Sequence, residues 1–167
     1  MKVVRPLSDN FGRVRSEFET LKRVHSDLLV QTVGDLVHNN KGCGYAMQPV
    51  GRSVVFPTDS MRDVLMSLVQ LHRQNIVHGD PRIANLICDA ESEQQLIWLD
   101  PFAVDSSTST SLYETDMVIL VRSLMRVDVL PRTIFQNIIN YSVSPADSDK
   151  VETLISSVLL SCSGTYP

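Results

Sequence analysis

The sequence contains little cysteine and no long apolar run. Cys43, Cys88 and Cys162 lie far apart and outside any C-x-x-C pair, so neither a disulfide framework nor a zinc knuckle is indicated. The N-terminal segment MKVVRPLSDN lacks the apolar core of a signal peptide, and the apolar run at 154–160 is too short and too rich in serine to span a bilayer. We therefore expect an intracellular protein, cytoplasmic or nuclear, that has no membrane partner.

An excess of one charge is also missing. Lysine and arginine number 15 against 19 acidic residues, the formal net charge is −4, and neither sign is collected into a block. Proteins that bind nucleic acid usually carry a basic patch or stripe, so we expect no nucleic-acid partner. With 43% hydrophobic and 20% charged residues, the composition is that of an ordinary globular domain. The 167 residues fall short of the roughly 250 usual for large two-lobed enzymes, which predicts an abbreviated fold.

The N-terminal part of the sequence predicts a strand, a helix and a hairpin. Residues 1–5 have the character of the end of a strand, and 6–12 that of a turn. Apolar residues three or four apart predict a helix over 13–24. Two apolar runs, 28–37 and 44–50, are separated by HNNKGC, whose Asn-Asn and Gly suit a hairpin loop.

The rest of the sequence predicts mostly helices. Ser60 and Asp63 have capping-box spacing at the start of a helix that runs to about Arg73. The apolar runs LIC and LIWL, around the polar DAESEQQ, predict a second hairpin. Further helices are predicted over 112–127, 134–141 and 150–160, the last led by the capping group PADSD. Because strands come first and helices dominate later, the predicted fold class is α+β.

Polar residues stand in a spaced order in the segment LHRQNIVHGDPRIANLI. His78, Asp80 and Asn85 read H-x-D-x-x-x-x-N between a predicted helix and a predicted strand, and Asp100 follows the next strand. Phosphoryl transfer from ATP needs a carboxylate that orients the attacking hydroxyl, oxygen ligands for Mg²⁺ and cations on the phosphates. A lone His-x-Asp is most often a turn with an aspartate cap. The matching positions of Asn85 and Asp100 decide against that interpretation.

This pattern resembles the catalytic loop and metal-binding aspartate of the protein-kinase-like superfamily. The resemblance implies that Asp80 accepts or orients the proton of the substrate hydroxyl, and that Asn85 and Asp100 hold Mg²⁺ bridging the phosphates. Arg82 stands where many kinases place a basic residue that faces the transferred phosphate. The alternative for this arginine is a structural role, bonded to loop carbonyls.

Two neighbouring residues receive positional roles from the same resemblance. His78 is implied to tie the catalytic loop to the segment around Asp100. Asp116, in ETDMVILVRSL, matches the aspartate that starts the central helix of the large lobe and hydrogen-bonds the backbone of the catalytic loop.

The N-terminal segment resembles part of a kinase small lobe. Lys2 resembles the strand lysine that contacts the ATP phosphates, and Glu17 the helix carboxylate that pairs with it. A lysine beside an initiator methionine is otherwise a solvated terminus, and Glu17 and Glu19 could both be solvent-facing charges, with Glu19 the other candidate partner.

The segment YAMQPVG resembles the strand that leads into the hinge of a kinase. The resemblance implies that Met47 guards the back of the adenine pocket. It also implies that Gln48 and Val50, at the ends of the following hinge tripeptide, offer backbone hydrogen bonds to adenine.

The chain departs from the pattern of regulated protein kinases. His-Gly-Asp replaces His-Arg-Asp, Pro101 follows Asp100, and nothing before Met1 supplies a glycine-rich loop. No Ala-Pro-Glu segment follows, so control by activation-loop phosphorylation is not expected. His-Gly-Asp also occurs in aminoglycoside- and choline-kinase-like enzymes, and such departures are shared by the divergent kinase-like domains of Crinkler-type effectors.

The expected fold is therefore protein-kinase-like. It has an abbreviated small lobe over residues 1–51, with a partial antiparallel sheet and one helix, and a mostly helical large lobe over 52–167. The expected function is ATP- and Mg²⁺-dependent phosphotransfer to a hydroxyl of a protein serine or threonine or of a small molecule, weak or absent without the glycine-rich loop. The alternative is a non-catalytic pseudokinase-like binding module. A metal-dependent hydrolase would leave Lys2, Glu17 and Asn85 unexplained.

Overall fold

The computed structural model describes residues 2–4, 10–39, 42–54, 60–89, 95–101 and 110–163. Within these ranges the chain forms six β-strands, five α-helices and one 3₁₀ turn, so the fold class is α+β, as the order of the predicted elements indicates. In chain order the elements are β1 (Lys2–Val4), α1 (Asn10–Arg23), β2 (Gln31–Asn39), β3 (Gly42–Gln48), β4 (Gly51–Ser53), α2 (Met61–Arg73), the 3₁₀ turn (Ile83–Asn85), β5 (Leu86–Asp89), β6 (Leu96–Trp98), α3 (Thr110–Met125), α4 (Arg132–Val143) and α5 (Ser148–Ser163).

The first sheet is antiparallel and has the strand order β1-β3-β2. The predicted hairpin is confirmed, and its last paired residues are Asn39 and Gly42. The register of β2 against β3 shifts between Val33 and Val37. Gly34 lies within this irregularity and has a φ of 73°, a left-handed conformation that glycine adopts without steric cost.

A short parallel bridge joins the first sheet to the second. The sequence predicts that the hairpin begins at Leu28, but β2 begins at Gln31. The backbone before β2 bonds to β6 instead, because Val30 N–H donates to Trp98 O at 3.1 Å and Trp98 N–H donates to Leu28 O at 2.8 Å. These residues are therefore extended, but their partner is not the neighbouring strand of the hairpin.

The second sheet has the order β4-β5-β6, and its β5–β6 pair confirms the second predicted hairpin. The sequence pattern does not predict β4, which pairs with β5 through Gly51 opposite Asp89. A Cβ atom at Gly51 would lie 2.5 Å from the carbonyl oxygen of Cys88. Glycine is therefore required at this position for the two backbones to approach.

Helix α1 packs on the first sheet through its apolar stripe. Val14, Phe18 and Leu21 are buried and form a small core with residues of the sheet, among them Tyr45. The helix begins three residues before the predicted start, so 10–12 are helical although the sequence predicts a turn there. Local propensity is a weak preference that packing of the following turns overrides.

Helix α2 lies in the larger core, with α3, α4, α5 and Trp98 around it. Its predicted span to Arg73 is confirmed, but the predicted capping box is not. Ser60 has φ −87° and ψ −9° and makes no side-chain cap hydrogen bond. A capping serine needs an extended backbone to reach the N–H groups of the next turn, and Ser60 is already helical.

The C-terminal helices α3, α4 and α5 lie close to their predicted spans. The predicted cap of α5 is confirmed, since Asp147 Oδ1 accepts the backbone N–H groups of Asp149 at 3.1 Å and Lys150 at 3.3 Å. These hydrogen bonds lower the pKa of Asp147. None of the helices in the described ranges combines the length and apolarity needed to cross a bilayer.

Candidate active site

The side chain of Asp116 holds the backbone of the loop that carries the H-x-D motif. This carboxylate is fully buried in α3 and accepts the backbone N–H groups of His78 at 2.7 Å and Gly79 at 2.8 Å. Gly79 has a φ of 85°, which explains a glycine between the histidine and the aspartate. The predicted hydrogen bonding of Asp116 is confirmed, but the residue does not start its helix, because α3 begins at Thr110.

A buried chain of hydrogen bonds extends from Asp116 to α4. Asp116 Oδ2 lies 3.2 Å from His72 Nε2, and His72 Nδ1 lies 2.6 Å from the hydroxyl of Tyr141. The network is satisfied when His72 Nε2 carries the proton and Nδ1 accepts from Tyr141. Burial raises the pKa of Tyr141, so the hydroxyl is held as a donor. The loop that carries the H-x-D motif is thereby anchored to three helices.

His78 joins the loop to the segment before Asp100, as the sequence predicts. Its Nε2 lies 2.9 Å from the carbonyl oxygen of Leu99, and its Nδ1 accepts the N–H of Asp80 at 3.2 Å. The ring also packs edge-on against Trp98. Burial lowers the pKa of His78, so the neutral ring donates from Nε2 and accepts at Nδ1.

Asp80, Arg82 and Asn85 are in direct contact. Arg82 donates from Nε to Asp80 Oδ1 at 2.7 Å and from Nη2 to Asp80 Oδ2 at 2.6 Å. Asn85 Nδ2 donates to the backbone oxygen of Asp80 at 2.9 Å and to its Oδ2 at 3.2 Å. The arrangement is a bidentate ion pair, and the hydrogen bonds to Asp80 raise the pKa of Arg82.

Asp100 lies beside this group at the end of β6. The N–H of Leu99 donates to the carbonyl oxygen of Asn85 at 2.7 Å, which fixes the backbone just before Asp100 against the 3₁₀ turn. Asp80 and Asp100 both act electrostatically on the ring of His78, so both carboxylates lie in the neighbourhood of this histidine. The φ of Asp100 is 52°, an uncommon left-handed conformation for a residue other than glycine. The predicted loop and the predicted aspartate are thus brought together.

The two acidic candidates in α1 lie on different faces. Glu17 is buried and accepts a hydrogen bond from the hydroxyl of Tyr45, whereas Glu19 is exposed. Burial and the hydrogen bond to Glu17 raise the pKa of Tyr45. The backbone of Lys2 pairs directly opposite Tyr45 in the first sheet, and the side chain of this lysine lies outside the described residues.

The three candidate adenine contacts lie where β3 passes into β4. Met47 packs against the small core, while Gln48 and Val50 are exposed. Gln48 pairs with Gln31 at the end of the hairpin. This segment connects the first sheet to the second sheet. The second sheet contains β5, which follows Asn85, and β6, which precedes Asp100.

No family model and no curated protein matches the chain. Among the similar solved structures is the bifunctional kinase-methyltransferase WbdD, with a TM-score of 0.54 and 17% sequence identity. The fold of this chain resembles part of that kinase-methyltransferase. The match covers 95% of this chain and 36% of the other, so the chain spans about a third of that protein's length. At this identity the likeness concerns the fold alone.

The donor set suits a hard divalent cation. Mg²⁺ prefers oxygen ligands and usually binds through one or two protein groups together with substrate phosphates and waters. Asn85 commits its amide nitrogen to Asp80, which leaves its Oδ1 as the atom for a metal, and Asp100 supplies a carboxylate. In the described parts of the chain, no three His, Cys, Asp or Glu side chains are grouped to hold a metal, so phosphate oxygens would complete such a site.

Sequence reasoning missed two features of this region. Tyr45 is the partner of Glu17, and a tyrosine within an otherwise small-residue strand, GCGYAM, is a signal for such a buried contact. Arg122 and Arg126 line a groove beside Asp80, Arg122 from the last turn of α3 and Arg126 from the residue that follows the helix.

Proposed function

We propose that this chain is a kinase-like phosphotransferase that moves the γ-phosphate of ATP to a hydroxyl group of a protein serine or threonine or of a small molecule. The observation that carries the proposal is the contact of Asp80 with Asn85. Asp116 fixes the loop that carries both residues. The backbone of Leu99, the residue before Asp100, is bonded to Asn85. In-line transfer requires these group types to be held at one place before substrates arrive.

In this proposal Asp80 is the catalytic base. The oxygen of the acceptor hydroxyl attacks Pγ while its proton passes to Asp80, the bond from Pγ to the bridging oxygen breaks, and ADP leaves with that electron pair. Arg82 exchanges one of its bonds to Asp80 for a bond to the transferred phosphate. The exchange frees a carboxylate oxygen for the hydroxyl at the same moment.

In this proposal the nucleotide is held by groups from both parts of the chain. Asn85 and Asp100 would hold Mg²⁺, which would neutralise charge on the phosphates. Lys2 contacts the phosphates and is oriented by Glu17, whose burial beside Tyr45 supports a structural partner rather than a solvated charge.

The adenine base is proposed to lie against the connection between β3 and β4. Met47 limits the pocket, and the backbone from Gln48 to Val50 bonds to the base. This assignment divides the chain into a small lobe, 1–51, and a large lobe, 52–167.

A second candidate function is a non-catalytic pseudokinase-like binding module. The observation that favours it is the bidentate pair, since both carboxylate oxygens of Asp80 accept hydrogen bonds from Arg82. An aspartate that stays in this pair has no oxygen positioned for a substrate proton.

The test is transfer or hydrolysis of γ-labelled ATP by the chain and by its D80N variant, with D35N as the matched control. Asp35 is exposed on β2, with a side-chain exposure of 95%. Turnover that falls by roughly 100-fold or more in D80N and is unchanged in D35N supports the phosphotransferase. Mg²⁺-dependent ATP binding without turnover in any variant would favour the binding module. The absence of both ATP binding and turnover would overturn the kinase proposal.

A further inference from the structure

A groove of about 470 Å³ lies beside Asp80 on the side of the C-terminal end of α3. Asp80 and Arg82 line it together with Arg122, Ser123 and Arg126, which belong to α3 and the turn after it. A volume of this size is in the range of small-molecule sites. Because Asp80 lines the groove, a molecule bound there can reach the proposed catalytic base.

The groove carries a positive charge although the protein as a whole is acidic. Three arginines against two aspartates line it, while the chain has a formal net charge of −4. Arg82 is committed to Asp80 at 2.6 Å and 2.7 Å. Arg122 and Arg126 therefore supply the excess of positive charge in the groove.

Both of these arginines are available to a ligand. Arg122 faces Asp128 at 3.9 Å, and the two side chains are 46% and 105% exposed, so this pair is screened by water and gives way readily. No carboxylate among the described residues pairs with Arg126. Two guanidinium groups that line the same groove can bind one phosphate or carboxylate group together.

The backbone at Arg126 supports a role for its side chain. Its φ of 55° is left-handed, and Val127 N–H closes the turn on the carbonyl oxygen of Arg122 at 3.3 Å. Glycine is the usual residue at this position of a helix end. The chain keeps an arginine in a conformation that disfavours a side chain, and such exceptions concentrate at functional sites.

Helix α3 fixes the groove relative to the catalytic loop. Besides the bonds of Asp116 to the loop, Ser123 Oγ accepts the N–H of Ile83 at 3.2 Å. The arginines and the backbone that positions Asp80 therefore belong to one packed unit.

We propose that this groove binds the acceptor substrate, and that the acceptor is a small molecule carrying both a hydroxyl and an anionic group, a phosphate or a carboxylate. Arg122 and Arg126 bind the anionic group while the hydroxyl lies at Asp80. The inference rests on the proposed phosphotransferase function and names its substrate class. The transfer step is the one described above, with ATP as the phosphoryl donor.

The test is an NMR titration of the ¹⁵N-labelled chain with inorganic phosphate, glycerol 3-phosphate and glycerol, without nucleotide. We expect both phosphates to shift amides of 122–128, glycerol to shift none, and the affinity for glycerol 3-phosphate to fall by roughly tenfold or more in R122Q/R126Q. R122K/R126K, which keeps both charges, should retain most of the affinity. The control is R15Q/R23Q, which removes two exposed arginines from α1. R122Q/R126G serves as a second variant that relieves the left-handed backbone, in case the first folds poorly.

Three outcomes would overturn the inference: no binding of either phosphate to the wild type, an affinity that R122Q/R126Q and R122Q/R126G leave unchanged, or tighter binding of the acidic peptide Glu-Glu-Ser-Glu-Glu than of glycerol 3-phosphate, which would assign the groove to a protein acceptor. The titration needs neither ATP nor turnover. If the chain shows no ATP turnover, the effect of the arginine substitutions on phosphate binding can still be measured. If those substitutions do not affect phosphate binding, the turnover assay still tests the proposed function.

Discussion

The carboxylate of Asp116 accepts the backbone N–H of Gly79 at 2.8 Å, across 37 positions of sequence. With its bonds to His78 and His72, this buried aspartate satisfies three donors at once. Donors in such a place lose their water on folding and must find another acceptor. The shape of the H-x-D loop therefore depends on a residue outside the motif.

Replacement of this aspartate should be costly. The D116N side chain has the shape of aspartate, but one of its two acceptor oxygens is replaced by an NH₂ group that faces hydrogen-bond donors. We therefore expect the free energy of unfolding to fall by about 2–4 kcal/mol in urea denaturation. D128N, at a fully exposed position, should change it by less than about 0.5 kcal/mol. Equal stabilities for D116N and the wild type would contradict the anchoring role.

Stability should decrease as the pH falls below about 6.5, partly because of His78. Burial lowers its pKa in the folded state from the ordinary 6.5, so between these two values the unfolded chain binds more protons than the folded chain. As the pH decreases through this range, the free energy of unfolding decreases, by at most about 1.4 kcal/mol per pH unit from this one group.

The contribution of His78 can be isolated by comparing slopes between pH 5 and 7. H78Q, whose amide can still donate to Leu99, should give a flatter dependence than the wild type. H25Q, at an exposed position, should not change the slope. A slope that is the same in H78Q and the wild type would show that His78 is not the source.

Nucleotide binding should depend on Mg²⁺ through Asp100. If this carboxylate is the principal metal ligand, D100A should weaken ATP binding in the presence of Mg²⁺ by roughly tenfold or more and should make the remaining affinity insensitive to the metal. Calorimetric titrations with and without Mg²⁺ measure both effects, with D35A as the control. The same ATP affinity under all of these conditions would count decisively against the assignment.

Arg82 should affect turnover more than substrate binding. If it moves from Asp80 to the transferred phosphate, R82Q removes a donor that acts in the transition state, so kcat should fall by roughly 100-fold with little change in KM. R52Q, at an exposed position on β4, is the matched control. An increase in kcat for R82Q would instead identify the Asp80–Arg82 pair as inhibitory.

The contact between Tyr45 and Glu17 should stabilise the first sheet. Y45F leaves a buried carboxylate with one donor fewer, and we expect a loss of about 1–3 kcal/mol in the free energy of unfolding. Y113F is the comparison, because the hydroxyl of Tyr113 lies 3.5 Å from its acceptor, Asn75 Oδ1, at the limit of a hydrogen bond. The loss in Y45F should be clearly the larger of the two.

The elements that sequence predicts well are those whose signals are local. The helical stripes of α1 and α2 and the turn residues of both hairpins lie within a few residues of one another. Even the loop motif is predictable, because His78, Asp80 and Asn85 are adjacent in the chain and Asp100 follows one hairpin later. Their chemical type and spacing suffice to propose a site without coordinates.

The features that sequence does not predict depend on distant parts of the chain. Strand β4 has no alternating pattern and exists because Gly51 lets its backbone approach Cys88. Ser60 is a residue type that often caps helices, but its backbone dihedral angles are helical and not extended. The contact of Glu17 with Tyr45 spans 28 positions, and no periodicity carries that information.

The parallel bridge between Leu28–Val30 and Trp98 has a consequence for how the protein melts. Trp98 is at once a partner of the segment that leads into the first sheet, a member of the larger core and the ring against which His78 packs. Because this bridge joins the segment before β2 to β6, we expect the two sheets to unfold together. Thermal unfolding should then be a single cooperative transition, with equal calorimetric and van't Hoff enthalpies.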